Sequence, residues 1–107
     1  MTQADVVSSI ANDLTQLDMT LMSSALNGKD AQWQLLYAQR KHLDDQQRDL
    51  LVKTIQSDDA GFQVYAQTID TASKQLNQVV ANLKQVDKII QIASQISATL
   101  DTILKQF

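Results

Sequence analysis

The chain has 107 residues, 44% of them hydrophobic, and its twelve acidic and nine basic side chains give a formal net charge of −3 at pH 7. This length suits one compact domain, and the excess of acid disfavours nucleic acid as a partner, because a phosphate-binding surface needs clustered lysine and arginine. Cysteine is absent, which excludes disulfides, thiolate nucleophiles and cysteine-ligated zinc.

Residues that break helices and form turns are scarce: proline is absent, and the two glycines are Gly28 and Gly61. A β-rich domain needs frequent turns, which glycine and proline commonly supply. The composition therefore predicts a single all-α domain spanning residues 1–107, with three long helical segments.

The first predicted helix covers residues 3–26. Thr2 is expected to be its N-cap, with Asp5 at the third helical position, which is the arrangement of a capping box. Asn27–Gly28 is expected to follow its end, because glycine tolerates the left-handed backbone found there. Its apolar stripe consists of Val7, Ile10, Leu14, Leu17 and Leu21.

The second predicted helix covers residues 31–56, with Asp30 as its N-cap. Its apolar stripe consists of Trp33, Leu36, Tyr37, Leu43, Leu50, Leu51 and Ile55. This stripe thins between Tyr37 and Leu50. The segment Ser57–Asp58–Asp59 is expected to form a turn and to cap the next helix.

The third predicted helix covers residues 60–106 and keeps one heptad register throughout. The first seam position is Phe62, Ile69, Leu76, Leu83, Ile90, Ser97 and Leu104, and the second is Tyr65, Ala72, Val79, Val86, Ala93, Leu100 and Phe107. Ser97 is the one polar residue in this seam. Such a repeat is typical of a coiled coil and predicts a continuous helix of about 70 Å.

Two architectures accommodate these helices. Two helices of about 38 Å cover the third only as far as Lys88, so in the first architecture the remainder projects and needs cover from another copy or another protein. In the second, the chain bends within residues 82–87 and closes a four-helix bundle. Because no glycine or proline interrupts the segment, the sequence favours the long coiled-coil-like helix over the closed bundle.

One polar run allows a metal site to be considered. On a helix, His42, Asp45 and Asp49 share a face. The same run places opposite charges four residues apart, which favours a solvated, ion-paired face. These pairs are Arg40–Asp44, Asp44–Arg48, Lys41–Asp45 and Asp49–Lys53. Because the chain also lacks glutamate, and with it the Glu-x-x-His motif of carboxylate sites in bundles, we expect no catalytic, cofactor or metal site.

Methionine and aromatic residues indicate a surface for a protein partner. Trp33 and Tyr37 are expected to pack in the core under the Asn27–Gly28 turn, and the alternative role for them is that of binding anchors. An up-down-up arrangement brings them to the same end as Met19 and Met22, whose side chains suit adaptable contacts. The residues predicted to bind a partner are Met19, Met22, Leu26, Trp33, Ile89, Ile92, Ile96, Ile103 and Phe107.

The expected function is that of a non-enzymatic helical interaction module: a self-associating bundle or coiled-coil subunit, an adaptor, or a secretion-type chaperone or filament subunit. The alternative is a membrane-active protein that inserts residues 86–107. Their charges sum to zero and they contain no tryptophan, unlike most interfacial helices, so a protein partner is favoured. The N-terminus resembles no cleavable signal peptide, which leaves a cytoplasmic location or signal-independent export.

The outline of a cysteine-free helical hairpin protein of about 100 residues resembles several bacterial families. These are type III secretion needle and filament subunits, flagellar-type export chaperones and the Trp-x-Gly secreted hairpins. The Trp-x-Gly motif itself is absent, because Gln34 and Leu35 follow Trp33, and the proline-containing turn of needle subunits is absent too. The resemblance covers the architecture alone and assigns no residue a role.

Overall fold

A computed structural model describes residues 1–81 and 85–107, and in those residues the chain forms four α-helices and no strand. The helices are α1 (Gln3–Leu21), α2 (Asp30–Leu51), α3 (Ala60–Val80) and α4 (Val86–Gln106), with a short 3₁₀ turn at Ser24–Leu26. The all-α class expected from the composition is therefore confirmed.

The helices form two hairpins that pack side by side. In the first hairpin α1 lies against α2, and in the second α3 lies against α4. The hairpins meet where α1 contacts α3 and where α2 contacts α4, so both of these contacts join parallel helices. The bundle measures 45 × 22 × 17 Å.

The expected continuous third helix is wrong. The first half ends at Val80 and the second begins at Val86, after which the chain runs back along α3. At the far end, the Gln106 side-chain amide donates to the Tyr65 hydroxyl at 3.0 Å. The closed four-helix alternative agrees with this arrangement, because antiparallel packing covers the wide apolar face of α4 within the chain. The predicted seam residue Leu83, and residues 82–84 of the predicted bend, lie outside the described residues.

The apolar seam of α4 keeps one predicted seam position, Val86, Ala93 and Leu100, and differs by one residue at the other. Its buried positions alternate at spacings of three and four: Val86, Ile89, Ala93, Ile96, Leu100 and Ile103, with Ile92 beside them. The predicted seam residues Ile90, Ser97 and Leu104 are only partly buried, and the residue before each of them is in the core. Two packed helices need not share a heptad phase, so an apparently unbroken repeat is no proof of one helix.

The helix ends follow local chemistry. The Thr2 hydroxyl accepts from the Asp5 amide at 3.1 Å and the Asp5 carboxylate accepts from the Thr2 amide at 2.8 Å, so the predicted capping box is confirmed. Asp59 caps α3 by accepting from the Phe62 amide at 2.9 Å. Lys29, rather than the predicted Asp30, is the N-cap of α2.

The first two helices are shorter than predicted. They end at Leu21 and Leu51, whereas the sequence pattern placed their ends at residues 26 and 56. Gly28 has a φ of +76°, the left-handed conformation that the Asn27–Gly28 signal predicted. The shortening makes all four helices similar in length, as a closed bundle requires.

Candidate protein-binding surface

Most of the residues predicted to bind a partner lie inside the chain's own core. Leu26, Ile89, Ile92, Ile96 and Ile103 are all buried. The expectation that the isoleucines of α4 need cover from another molecule is therefore corrected: the other helices of the bundle cover them. These isoleucines were assigned to a partner surface because α3 and α4 were predicted to be one projecting helix.

Phe107 is half-buried and lies at the opposite end of the bundle from Met19 and Met22. Its ring packs edge-on against the ring of Phe62, with centroids 6.1 Å apart. Since Phe62 is in the first turn of α3, this contact closes the end of the bundle where α4 terminates. The predicted set of partner residues thus does not form one surface.

Two methionines from the predicted set are exposed to solvent. Met19, near the end of α1, is 55% exposed, and Met22, its C-cap residue, is 83% exposed. Their spacing of three residues brings them close together on the helix surface. Long flexible thioether side chains are well suited to varied contacts with another protein.

Trp33 lines the same cleft as Met22 and is held in place by a hydrogen bond. Its indole N–H donates to the Leu21 carbonyl at 3.0 Å, at the end of α1 where carbonyls lack a partner within the helix. The Tyr37 ring stacks on it with centroids 5.2 Å apart and planes 7° apart. Trp33 is half-buried and Tyr37 is 46% exposed. Trp33 therefore lies partly in the core, as expected, whereas Tyr37 lies on the surface.

A cleft separates the end of α1 from the start of α2. It has a volume of about 410 Å³ and is lined by Leu21, Met22, Ser23, Leu26, Asn27, Gly28, Asp30 and Trp33. Met22 and Trp33 thus border the same cleft. We call Met19, Met22, Trp33 and Tyr37 together the Met–Trp surface.

An ion-pair network borders the Met–Trp surface. The Arg40 guanidinium binds both carboxylate oxygens of Asp18, at 2.8 and 3.2 Å, and this bond raises the pKa of Arg40. Asp44 lies 3.8 Å from Arg40 and 2.9 Å from Arg48. Because a two-pronged pair has a defined geometry, Asp18 and Arg40 fix α1 against α2 immediately beside Tyr37. The sequence pattern did not indicate this pair, which joins two helices.

The polar face of α2 is partly as expected. The predicted pairs Arg40–Asp44 and Asp44–Arg48 are confirmed, whereas Lys41–Asp45 and Asp49–Lys53 are not within ion-pair distance. His42 is exposed. Among residues 1–81 and 85–107, no group of three or more histidine or carboxylate side chains is arranged to hold a metal ion.

Sequence reasoning missed two buried polar contacts between the hairpins. The Ser73 hydroxyl donates to Asp13 at 2.8 Å, and the Ser97 hydroxyl donates to Gln46 at 2.9 Å. Burial raises the pKa of Asp13 to about 6, although the Ser73 hydrogen bond lowers it. Asp13 is 0% exposed, so its carboxyl group is not part of the molecular surface.

Together, the fold and the exposed side chains define a four-helix bundle with a methionine and aromatic surface at one end. Within the two described stretches, no helix is long and apolar enough to cross a membrane. Comparisons of the chain with protein-family models, with curated proteins and with solved structures gave no significant match.

Proposed function

We propose that the protein is a non-enzymatic interaction module that binds another protein through the Met–Trp surface. The observation that carries the proposal is the pairing of a highly exposed methionine, Met22, with a fixed aromatic residue, Trp33, across one cleft. Burying a methionine side chain in a partner is worth about 1.5–3 kcal/mol.

The chemistry of the surface suits a helical partner. Tryptophan and tyrosine are frequent anchors at protein interfaces, and methionine adapts its shape to the partner. An amphipathic helix that lies across the cleft would contact both Met22 and Trp33. Since Trp33 is already held by Leu21, little side-chain freedom is lost on binding.

This proposal moves the binding role away from the C-terminal helix. The isoleucines of α4 contribute to the stability of the bundle, and the Met–Trp surface is formed by α1 and α2. Insertion of α4 into a membrane would require the bundle to open and lose that core. Binding through the Met–Trp surface requires no such loss, which favours a protein partner.

Site-specific photocrosslinking in the producing cell tests the proposal. A photoreactive amino acid replaces Met22 in one version and Val64 in another. Val64 is also exposed, at 64%, but lies in the first turns of α3 at the opposite end of the bundle. We expect a discrete crosslinked product from position 22, absent from position 64 and lost on adding Met19→Gln and Trp33→Ala.

Equal crosslinking from both positions would contradict the proposal, as would a product that survives those substitutions. The mass of the product separates the two kinds of partner: twice that of the chain means a second copy, and any other mass means a different protein. The same experiment with the purified protein alone checks this assignment.

A further inference from the structure

The two contacts between the hairpins are built alike. Each joins parallel helices, and each contains one buried polar side chain that receives a hydrogen bond from a serine of the other hairpin. In the α2–α4 contact the pair is Gln46 and Ser97; in the α1–α3 contact it is Asp13 and Ser73. The first polar side chain is neutral and the second is ionisable.

Gln46 is 2% exposed, and both polar atoms of its side chain have hydrogen-bond partners. Its amide nitrogen donates to the Ser97 carbonyl at 3.0 Å and to the Asp101 carboxylate at 2.9 Å, and its oxygen accepts from the Ser97 hydroxyl. Because an amide does not ionise, the buried part of the α2–α4 contact contains no titratable group.

Asp13 has far fewer partners. Its Oδ2 accepts from the Ser73 hydroxyl at 2.8 Å, whereas its Oδ1 is buried without a hydrogen-bond partner. An ionised carboxylate has about four acceptor positions, and a buried charge with so little compensation is costly. Protonation removes that charge.

Several charged side chains on the helices that flank α1 form ion pairs with other residues. On the α3 side, Asp70 and Lys74 pair with each other at 2.9 Å; on the α2 side, Arg40 pairs with Asp18 and Asp44. The 3₁₀ turn, which also packs on α1, contains no ionisable residue. The pKa of Asp13 accordingly responds to burial, which raises it to about 6, and to Ser73, which lowers it.

We propose that the α1–α3 contact is a pH-responsive latch. It is closed when Asp13 is protonated and loosened when Asp13 is ionised, while the α2–α4 contact stays closed in both states. The latch joins α1 to α3 through Asp13 and Ser73, which are not part of the Met–Trp surface, so it does not depend on the function proposed above.

The direction follows from the two states of the carboxyl group. The pKa of Asp13 is about 6 in the closed bundle, above its ordinary value of 3.8. Its contribution to closure is therefore complete below about pH 4 and is lost as the pH rises through 6. Between pH 4 and pH 7 the opening equilibrium of α1 from α3 should rise roughly a hundredfold.

Amide hydrogen exchange on the full chain tests the latch. Protection factors, corrected for the intrinsic effect of pH on exchange, are measured for each helix from pH 4 to pH 7.5. We expect protection in α1 and α3 to fall roughly a hundredfold in the wild type, to be lower at pH 7 than protection in α2 and α4, and to stay constant in Asp13→Asn.

A second variant gives an independent signature. In Ser73→Ala the carboxyl group loses the hydrogen bond that lowers its pKa, so the midpoint of the change should move to higher pH. A flat wild-type profile would overturn the proposal. So would an equal fall in Asp13→Asn, or protection in α1 and α3 that is as high as in α2 and α4 at pH 7.

Discussion

Trp33 donates its indole N–H to the main-chain carbonyl of Leu21 over 3.0 Å, and this bond joins the first turn of α2 to the last turn of α1. The same ring stacks on Tyr37 and borders a cleft opposite Met22. One side chain therefore closes the first hairpin and forms the centre of the proposed binding surface. Its two roles can be separated by substitution.

Trp33→Phe keeps an aromatic ring for the stack but removes the N–H group. We expect the free energy of unfolding to fall by about 1 kcal/mol, the usual net value of one hydrogen bond, plus a smaller loss of packing. Urea denaturation followed by circular dichroism measures it. Tyr37→Phe is the control, and it should change stability by less than about 0.5 kcal/mol because the hydroxyl lies on a half-exposed ring. Equal losses in both variants would argue against the hydrogen bond.

Ile96→Ala distinguishes core from surface within the residues that the sequence assigned to partner binding. Ile96 is completely buried, so its truncation should cost about 2–5 kcal/mol in the isolated protein. Met22→Gln, on a side chain that is 83% exposed, should change stability by less than about 0.5 kcal/mol. Thermal and urea unfolding of both variants decide the matter. An isolated protein that tolerates Ile96→Ala would restore the view that a partner covers α4.

Asp13→Asn should stabilise the protein at neutral pH. Since the pKa of Asp13 is about 6 in the folded chain and 3.8 is its ordinary value, ionisation at pH 7.5 costs stability of about 3 kcal/mol at most. Asparagine removes the charge and can still accept from Ser73. Urea unfolding should show the variant more stable at pH 7.5 and equal to the wild type near pH 4; a gain of the same size at both pH values would contradict the assignment.

Gln46→Glu should give the α2–α4 contact the pH dependence that it lacks. The new carboxyl group would lie beside Asp101 in a buried position, so its pKa should be raised and its ionisation should oppose folding. We expect a stability loss of about 1–3 kcal/mol at pH 7.5 that is largely recovered near pH 4. Glutamate at exposed Gln91 of α4 is a suitable control. A loss that is independent of pH would point to packing instead of charge.

The helix cap and the turn could be predicted from the sequence because each depends only on residues that are close together in the chain. The Thr2–Asp5 capping box and the left-handed Gly28 each depend on a few adjacent residues. The sequence offered the break between Val80 and Val86 only as the less favoured alternative, because no glycine or proline marks it and the heptads continue across it. It is fixed by the packing of α4 back onto α3, which is a property of the whole bundle.

Buried polar residues escaped notice because aspartate and glutamine in a helix normally indicate a solvated face. Spacing contained the signal for Asp13: Val6, Ile10, Asp13, Leu17 and Thr20 recur at four and three residues and are all buried. The predicted stripe shared Ile10 and Leu17 with this seam but continued through Val7, Leu14 and Leu21, so it left out Asp13. Of the proposed surface, Met19, Met22 and Trp33 were anticipated from residue type, whereas the Asp18–Arg40 pair beside it needed the relation between two helices.

The most direct test of the closed bundle, on which the placement of the binding surface depends, is a distance between two spin labels. The chain has no native cysteine, so Val64→Cys and Gln106→Cys can be labelled specifically in the full protein. We expect double electron–electron resonance to give a distance no longer than the 22 Å width of the bundle, because Gln106 lies against Tyr65, the neighbour of Val64. A distance of about 63 Å, the length of a continuous helix between these positions, would contradict it.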